Sequence, residues 1–194
     1  NEILALLERM NARRIFFGFE SGNDAHLAKL KVGKVTVEMN KRAIDLCVGR
    51  GFKVFGNVIF GSPGETLSQM EDTISFIKWA KAHGVSRMLM SVMTPYPGTP
   101  VWLDGVKMGR VSETMNWDEL MINAEQSGFR GFVVDPSINE EQFSAMVKKA
   151  LVTIHAFKWK KLKEFFVSNP WETVRFVSRA PWPLIRRMFV RKST

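Results

Sequence analysis

The chain is poor in cysteine, histidine and tyrosine, and each scarcity limits the sites it can form. Cys47 is the single cysteine among 194 residues, so an internal disulfide is excluded. A cysteine-ligated iron–sulfur cluster needs about three or four thiolates, so this segment cannot hold one by itself. The histidines His26, His83 and His155 are not at metal-ligand spacing, and we expect structural roles for them.

Long apolar runs are also absent. No stretch of about 18 uncharged apolar residues occurs, so no transmembrane helix is predicted, and no secretory signal pattern is present. Apolar residues nevertheless make up 45% of the chain, enough for one sizeable core. We expect a cytoplasmic protein, possible peripheral membrane contact aside. Because Asn1 already lies in a helical pattern, we also expect a preceding segment in a longer parent.

Positive charge is concentrated at one end. Residues 156–194 hold ten Lys or Arg and two Glu, and therefore eight of the nine net positive charges, interleaved with three Trp and several Phe. This pattern fits a helix on an anionic membrane surface, or an RNA contact made by cations and stacking aromatics. It fits equally a tail that packs its aromatic side chains and leaves a solvated basic face. The sequence leaves these alternatives open.

Three apolar runs, at 14–19, 53–60 and 85–93, each end in a polar, glycine-rich turn followed by a helical pattern. Their spacing of about 35 residues is typical of right-handed βαβ units. The near-continuous apolar run at 53–60 predicts a strand buried on both faces. A helix is predicted over 36–50, and Thr66 with Gln69 predicts a capping box before another. The predicted fold is α/β, a partial (β/α) barrel with about three parallel strands and a site at their carboxyl edge.

The pattern changes after Pro100. A short helix is predicted over 102–109, loop with short helix or strand pieces over 110–135, and a long helix over 140–166 capped by Asn139. A tail helix is predicted over 171–179. We therefore predict a barrel part at 1–105 and a mainly helical, basic and aromatic extension at 106–194.

The first turn offers a carboxylate, a hydroxyl and an amide, those of Glu20, Ser21 and Asn23. At the end of a strand these groups can bind the hydroxyls of a ribose or an amino acid moiety. The alternative is a structural turn in which Ser21 and Asn23 cap a helix. Local chemistry favours neither.

The second and third turns are stiffened by proline. Pro63-Gly64 suits the central pair of a type II turn, and Ile59 and Gly61 before it could form an apolar shelf for a flat ring. The alternative is a tight turn without a ligand. Tyr96, the single tyrosine, could line a pocket or cover a barrel rim.

Taken together, the three turns resemble the later barrel strands of radical S-adenosylmethionine (SAM) enzymes. The run FESGN at 19–23 resembles the fourth barrel strand, VIFGSPGET at 58–66 the fifth, and TPYPGTP at 94–100 the sixth. The fifth strand of the family carries a Gly-x-Ile-x-Gly-x-x-Glu-type pattern. Asn57 stands at the position of its first glycine, and Glu65 lies one residue beyond the position of its glutamate. The group most similar carries an upstream cobalamin-binding domain and includes anaerobic magnesium-protoporphyrin IX monomethyl ester oxidative cyclase-like proteins.

The resemblance implies a parent enzyme with a [4Fe-4S] cluster that cleaves SAM to a 5′-deoxyadenosyl radical, with cobalamin as a further cofactor to test. Its substrate would be a small apolar or tetrapyrrole-like molecule. Glu20 and Ser21 would face the ribose or methionyl part of SAM, and Ile59 and Gly61 the adenine. The full set of implied cofactor-binding residues is Glu20, Ser21, Asn23, Asn57, Ile59, Gly61 and Tyr96.

No residue of the chain matches a catalytic group or metal ligand of the family, whose cluster motif would lie upstream. We therefore expect the fragment alone to be inactive and to bind no cofactor. We also expect it to self-associate through its incomplete sheet. A non-enzymatic basic module that binds membrane or RNA is the alternative from another class, and an RNA-methylthiolating radical SAM enzyme is a third interpretation.

Overall fold

The computed structural model describes residues 2–120, 137–169 and 171. The predicted tail helix and most of the predicted loop region before Asn139 lie outside these residues. The elements, in chain order, are α1 (Glu2–Arg9), β1 (Arg14–Glu20), α2 (Asp24–Leu30), α3 (Val37–Gly49), β2 (Lys53–Phe60), α4 (Leu67–Ala82), β3 (Arg87–Val92), α5 (Pro100–Lys107), a 3-10 turn (Trp117–Leu120) and α6 (Glu140–Ser168).

The three strands form one open parallel sheet in the order β1-β2-β3. Phe16 pairs with Phe55, which pairs with Arg87, and Gly18 pairs with Asn57. Helices connect consecutive strands, as parallel pairing requires. The α/β prediction and the predicted strand positions are confirmed, with shifts of at most two residues at the strand ends.

One face of the sheet carries the core. Phe19, Val54, Val58 and Phe60 are fully buried there and pack with apolar side chains of α3 and α4. Phe143, Val147 and other residues of α6 belong to the same core cluster. Residues 140–154 of α6 therefore belong to the same core as the sheet.

The expectation that β2 is buried on both faces is wrong. Val54, Gly56, Val58 and Phe60 are buried, whereas the alternating Phe55, Asn57 and Ile59 are only partly covered. Because successive strand side chains point to opposite faces, one side of the sheet is closed and the other is not. The apolar run was compatible with either arrangement, since most residues on the less covered face are apolar too.

Both predicted helix caps, at Thr66 and at Asn139, are confirmed. The Thr66 and Gln69 side chains form the predicted reciprocal capping box at the start of α4. Asn139 and Gln142 make the same exchange before α6. Gly51 and Gly84 follow helices with φ of 80° and 93°, the left-handed conformation that glycine adopts easily. The short helix α2 begins directly after Asn23, which caps it as the structural alternative for the first turn predicts, although its short apolar pattern predicts no bounds for it.

The chain divides into two compact units, residues 1–154 and 155–194. The strands and all the turns considered below belong to the first unit. The proposed boundary at residue 105 stays a prediction about the parent barrel. Within the described residues, no helix is long and apolar enough to cross a membrane.

Candidate functional site

The less covered side of the sheet, called the open face here, displays a mixed apolar and polar surface. Phe16 is 58% exposed and packs edge-to-face with Phe55, their ring centroids 6.2 Å apart. The same side carries Arg14, Lys53 and Arg87 at the amino ends of the strands and the polar side chains of Asn57 and Ser91 toward the carboxyl ends. The name open face refers to the uncharged positions of this side, namely Phe16, Gly18, Phe55, Asn57, Ile59, Leu89 and Ser91.

Glu20 ends β1 in a strained backbone conformation. Its φ is 64°, a value that residues other than glycine rarely adopt. The Ser21 N–H donates to the Phe19 carbonyl over 2.8 Å, which closes a γ-turn around Glu20. The pairing register of β1 with β2 shifts at the same point, between Gly18 and Glu20. Such a backbone conformation costs about 1 kcal/mol or more and is common at functional sites, so it indicates that Glu20 is a candidate functional residue.

The turn places the Glu20 carboxylate over Gly18 on the open face. A Cβ added to Gly18 would lie 2.3 Å from Oε1 of Glu20 and 3.7 Å from Nζ of Lys31. Lys31 donates to Oε1 of Glu20 over 3.2 Å. The absence of a side chain at Gly18 therefore provides the space in which this carboxylate rests.

Two other predicted residues share this surface. Asn57 lies in the middle of β2, between Gly18 and Leu89 of the neighbouring strands, and its Oδ1 accepts a hydrogen bond from Ser91 Oγ over 3.4 Å. Ile59 pairs with Ser91 nearer the carboxyl end of β2. Glu20, Asn57 and Ile59 thus combine a carboxylate, an amide and an apolar surface on one face.

Ser21 and Asn23 have structural partners in the turn. Ser21 is fully buried, with Oγ 3.2 Å from Oγ1 of Thr73 on α4. Asn23 caps α2 by accepting from the His26 N–H over 3.0 Å, and its amide donates to Asp72 over 2.8 Å. These contacts correspond to the structural alternative for this turn. Ligand roles for the two residues stay predictions.

Gly61 begins the turn after β2 with φ of 82°, and its N–H is bound by Glu65. Glu65 Oε2 accepts from the Gly61 N–H over 2.7 Å and from the Ser62 N–H over 3.3 Å. Glu65 is fully buried, and burial raises the pKa of its carboxyl to about 7, against the lowering effect of the two backbone hydrogen bonds. A buried carboxyl thus fixes the loop predicted to face a ligand ring.

A second buried polar group lies beside Glu65. His26 is fully buried, with Nε2 3.9 Å from Oε1 of Glu65, and burial followed by the charge of Lys29 lowers its pKa. Within the described residues, both ring nitrogens of His26, Ser62 Oγ and Glu65 Oε1 are buried without a hydrogen-bond partner. Helix α2 and the turn after β2 therefore meet at a buried polar cluster.

Tyr96 lies in the loop after β3 and is 60% exposed. Its carbonyl accepts from both the N–H and the hydroxyl of Thr99, which caps α5. Since the strands are parallel, Glu20, Gly61 and Tyr96 lie beyond or at the carboxyl ends of β1, β2 and β3 at one edge of the sheet. That placement was predicted, except that Asn57 is inside its strand.

Sequence reasoning did not name Lys31, and it named Glu65 only as the glutamate of the family pattern, not as a site residue. Glu65 follows Ser62 by three residues, the spacing at which a side chain reaches back to turn amides, so a signal for it existed. Lys31 is eleven residues from Glu20 and separated from it by α2, so nothing in the local sequence pointed to their contact.

The described residues do not fit an iron–sulfur cluster. Cys47 is buried, and burial raises the pKa of its thiol, which disfavours the thiolate that binds iron. In the described parts of the chain, no three His, Cys, Asp or Glu side chains form a group that could hold a metal ion. Cys47 instead lines an apolar groove of about 780 Å³ between α1, β1 and α3, away from the predicted site residues.

Comparison with known proteins shows that part of the chain matches a family model. Residues 1–77 match the Radical SAM superfamily family model. That stretch contains β1, β2 and both turns built around Glu20 and Glu65. The match supports the resemblance seen in the turns.

Two curated relatives are similar to the chain over most of its length. An uncharacterized methyltransferase of Pyrococcus horikoshii is 26% identical over 152 residues, 78% of this chain and 31% of that protein. Bacteriochlorophyllide d C-8(2)-methyltransferase of Chlorobaculum tepidum is 23% identical over 165 residues, 84% of this chain and 34% of that protein. The chain thus spans about a third of the length of these relatives. Both are named methyltransferases, and the likeness to cyclases stays a prediction.

Proposed function

We propose that the chain is the later part of a radical SAM barrel and that its open face and carboxyl edge bind SAM in the whole protein. The observation that carries the proposal is the Glu20 carboxylate, which lies over Gly18 after a strained turn at the end of β1. The family match over residues 1–77 supports it. The same match does not favour the alternative of a non-enzymatic basic module.

The residues of this surface suit the parts of SAM differently. The Glu20 carboxylate can accept hydrogen bonds from the ribose hydroxyls or from the methionyl ammonium group. Ile59 and the backbone at Gly61 offer a surface for the adenine ring, and Asn57 and Tyr96 add polar contacts. Ser21 and Asn23 contribute by shaping the turn that presents Glu20. In the whole protein, a reduced [4Fe-4S] cluster would supply the electron for reductive cleavage of SAM. In this proposal the cluster ligands come from outside the described residues.

The proposed reaction is methyl transfer to a small apolar or tetrapyrrole-like substrate. Support comes from the names of the two relatives, one of which refers to a bacteriochlorophyllide. Oxidative cyclisation, implied by the resemblance, and a requirement for cobalamin stay predictions.

The experiment uses the full-length protein carrying this chain, reconstituted anaerobically with iron and sulfide. SAM binding is measured by equilibrium dialysis, and 5′-deoxyadenosine formation by chromatography. We expect E20Q to weaken SAM binding by about tenfold, because a charge-assisted acceptor is lost. E38Q is the control, since the Glu38 side chain is 82% exposed on α3.

Binding of 5′-deoxyadenosine and of methionine, each measured by competition with SAM, shows which part of SAM Glu20 contacts. If Glu20 binds the ribose, E20Q weakens 5′-deoxyadenosine binding and leaves methionine binding unchanged, and the reverse holds for a methionyl contact. Unchanged SAM binding in E20Q contradicts the proposed site. Absence of 5′-deoxyadenosine from the reconstituted wild type contradicts the proposed chemistry.

We further propose that residues 156–194 bind anionic lipid surfaces in the whole protein. The concentration of charge supports this, since eight of nine net positive charges lie there among three tryptophans. This second role is independent of SAM binding and has its own test in the Discussion.

A further inference from the structure

Lys31 is the cation that contacts Glu20 at the carboxyl edge of the sheet. Its Nζ lies 3.2 Å from Oε1 of Glu20, and the two side chains are 33% and 19% exposed respectively. In the described part of the chain the ion pair uses Oε1 only, so Oε2 remains available to accept from a ligand. The pair is thus partly shielded from water while one carboxylate oxygen stays free.

Both partners have anchored backbones. Lys31 caps the carboxyl end of α2, and its N–H donates to the Leu27 carbonyl over 2.8 Å. At the other partner, the Phe19 carbonyl before Glu20 accepts from the Ser21 N–H and from the buried Asn40 amide over 3.3 Å. Holding two backbones in place lowers the conformational entropy lost when the side chains pair.

The position over Gly18 is where the two charged groups meet. A Cβ there would lie within 3.7 Å of Lys31 Nζ and in direct conflict with the Glu20 carboxylate. The remaining torsions of the Glu20 side chain are free to rotate unless something holds the carboxylate. Lys31 is the described group that does so, since the strained turn fixes only the backbone of Glu20.

We infer that Lys31 is a positioning residue for the SAM site: it holds the Glu20 carboxylate over Gly18 on the open face, with one oxygen free for the ligand. This inference rests on the proposed function, and it deepens it by adding a residue that acts through Glu20. Lys31 itself makes no contact with SAM in this arrangement.

Equilibrium dialysis of SAM against the full-length, cluster-loaded protein tests the inference with a binding readout. The variants are K31M, K31Q, K31R, E20Q and the double variant E20Q/K31M, with K34M as the matched control because Lys34 is an exposed lysine just beyond the same helix. We expect K31M and K31Q to weaken binding by about threefold to fivefold, the range of a partly exposed ion pair. K31R should retain affinity within about twofold, and K34M should match the wild type.

The double variant decides whether Lys31 acts through Glu20. If it does, E20Q/K31M binds no more weakly than E20Q alone, because the group that Lys31 positions is already altered. The inference is overturned if the loss of SAM affinity in E20Q/K31M equals the product of the losses in E20Q and K31M. It is also overturned if K31M and K31Q both bind SAM with wild-type affinity. Either result leaves the proposed SAM site intact. Wild-type affinity in E20Q overturns the proposed site and this inference together. Thermal unfolding of each variant verifies that the measured protein is folded.

Discussion

At the scale of single residues, the two carboxylates near the carboxyl edge are held in opposite ways. Glu20 is on the open face with a cation beside it, and its backbone is strained. Glu65 is fully buried and accepts two backbone hydrogen bonds in the loop after β2. The first is suited to meet a ligand and the second to hold a loop, although both follow a strand of the same sheet.

Burial of Glu65 predicts a stability difference that depends on pH. Its pKa is raised from 4.5 to about 7 in the folded protein, so the unfolded chain releases this proton first as the pH rises. The contribution of Glu65 to the free energy of unfolding therefore becomes less favourable between these two values, by up to the order of 3 kcal/mol. E65Q removes the titration and keeps an oxygen for the Gly61 and Ser62 amides.

Urea unfolding of the wild type and E65Q at about pH 5 and about pH 8 measures this effect. The stability of E65Q relative to the wild type should increase with pH. The opposing titration of His26, whose pKa is lowered, remains in both proteins. E38Q, at an exposed glutamate, should show no such change relative to the wild type. A difference between E65Q and the wild type that is constant with pH contradicts the prediction.

At the scale of elements, each strand has one buried and one less covered face. The space available for a Cβ at Gly56 and at Gly18 differs between these two faces. A Cβ at Gly56 would lie 2.2 Å from the buried Phe19 ring, whereas one at Gly18 would meet the movable end of Glu20. Neither glycine has a positive φ, so both substitutions to Ala are compatible with the backbone.

We predict opposite outcomes for the two substitutions. G56A should lower the free energy of unfolding by about 1–3 kcal/mol through overpacking against Phe19. G18A should change it by no more than about 0.5 kcal/mol but should weaken SAM binding, because the carboxylate is displaced. Urea unfolding and equilibrium dialysis measure the two effects. Equal destabilisation by both variants would mean that the sheet faces are assigned wrongly.

The capping box of α4 makes a second prediction at this scale. Thr66 Oγ1 accepts a hydrogen bond from the Gln69 N–H, and Gln69 Oε1 accepts one from the Thr66 N–H. T66A should lower the free energy of unfolding by about 1 kcal/mol, because amides at the helix start lose their acceptor. S68A, at an exposed position two residues later, should have an effect below about 0.5 kcal/mol. Equal effects of the two variants in urea unfolding would contradict a role for the cap.

At the scale of the whole molecule, charge separates the ends of the chain. The ten basic residues of 156–194 predict salt-sensitive binding to anionic vesicles, at about 1 kcal/mol or less for each engaged residue. Replacing four of them with Gln should weaken co-sedimentation with anionic lipid and leave neutral lipid unaffected. The chosen residues are Arg186, Arg187, Arg191 and Lys192.

A matched variant and an RNA arm complete this test. The control replaces four exposed lysines of the first unit with Gln, namely Lys34, Lys53, Lys78 and Lys107. Equal loss of lipid binding in both variants would show that total charge, not the tail, is responsible. Salt-sensitive binding to RNA without binding to vesicles would contradict the membrane proposal. Self-association through the incomplete sheet also stays a prediction, for which light scattering is the direct measurement.

The sequence by itself determined the strand positions, the helix caps and the distribution of charge. These follow from signals within a few residues of one another: an apolar run ended by Gly61, a Thr66–Gln69 pair, or a glycine after a helix. The sequence also brought the turns of Glu20, Gly61 and Tyr96 to one edge, because parallel strands joined by helices leave no other arrangement.

Only the tertiary structure decided which side chains the site contains. The contacts of Ser21 with Thr73, of Lys31 with Glu20, and of Phe19 with Gly56 join residues 11 to 52 positions apart. Such contacts depend on how the helices pack against the sheet and its carboxyl edge, which no local pattern encodes. The same packing buries Ser21 and leaves Glu20 on the open face, although the two residues are neighbours in the chain.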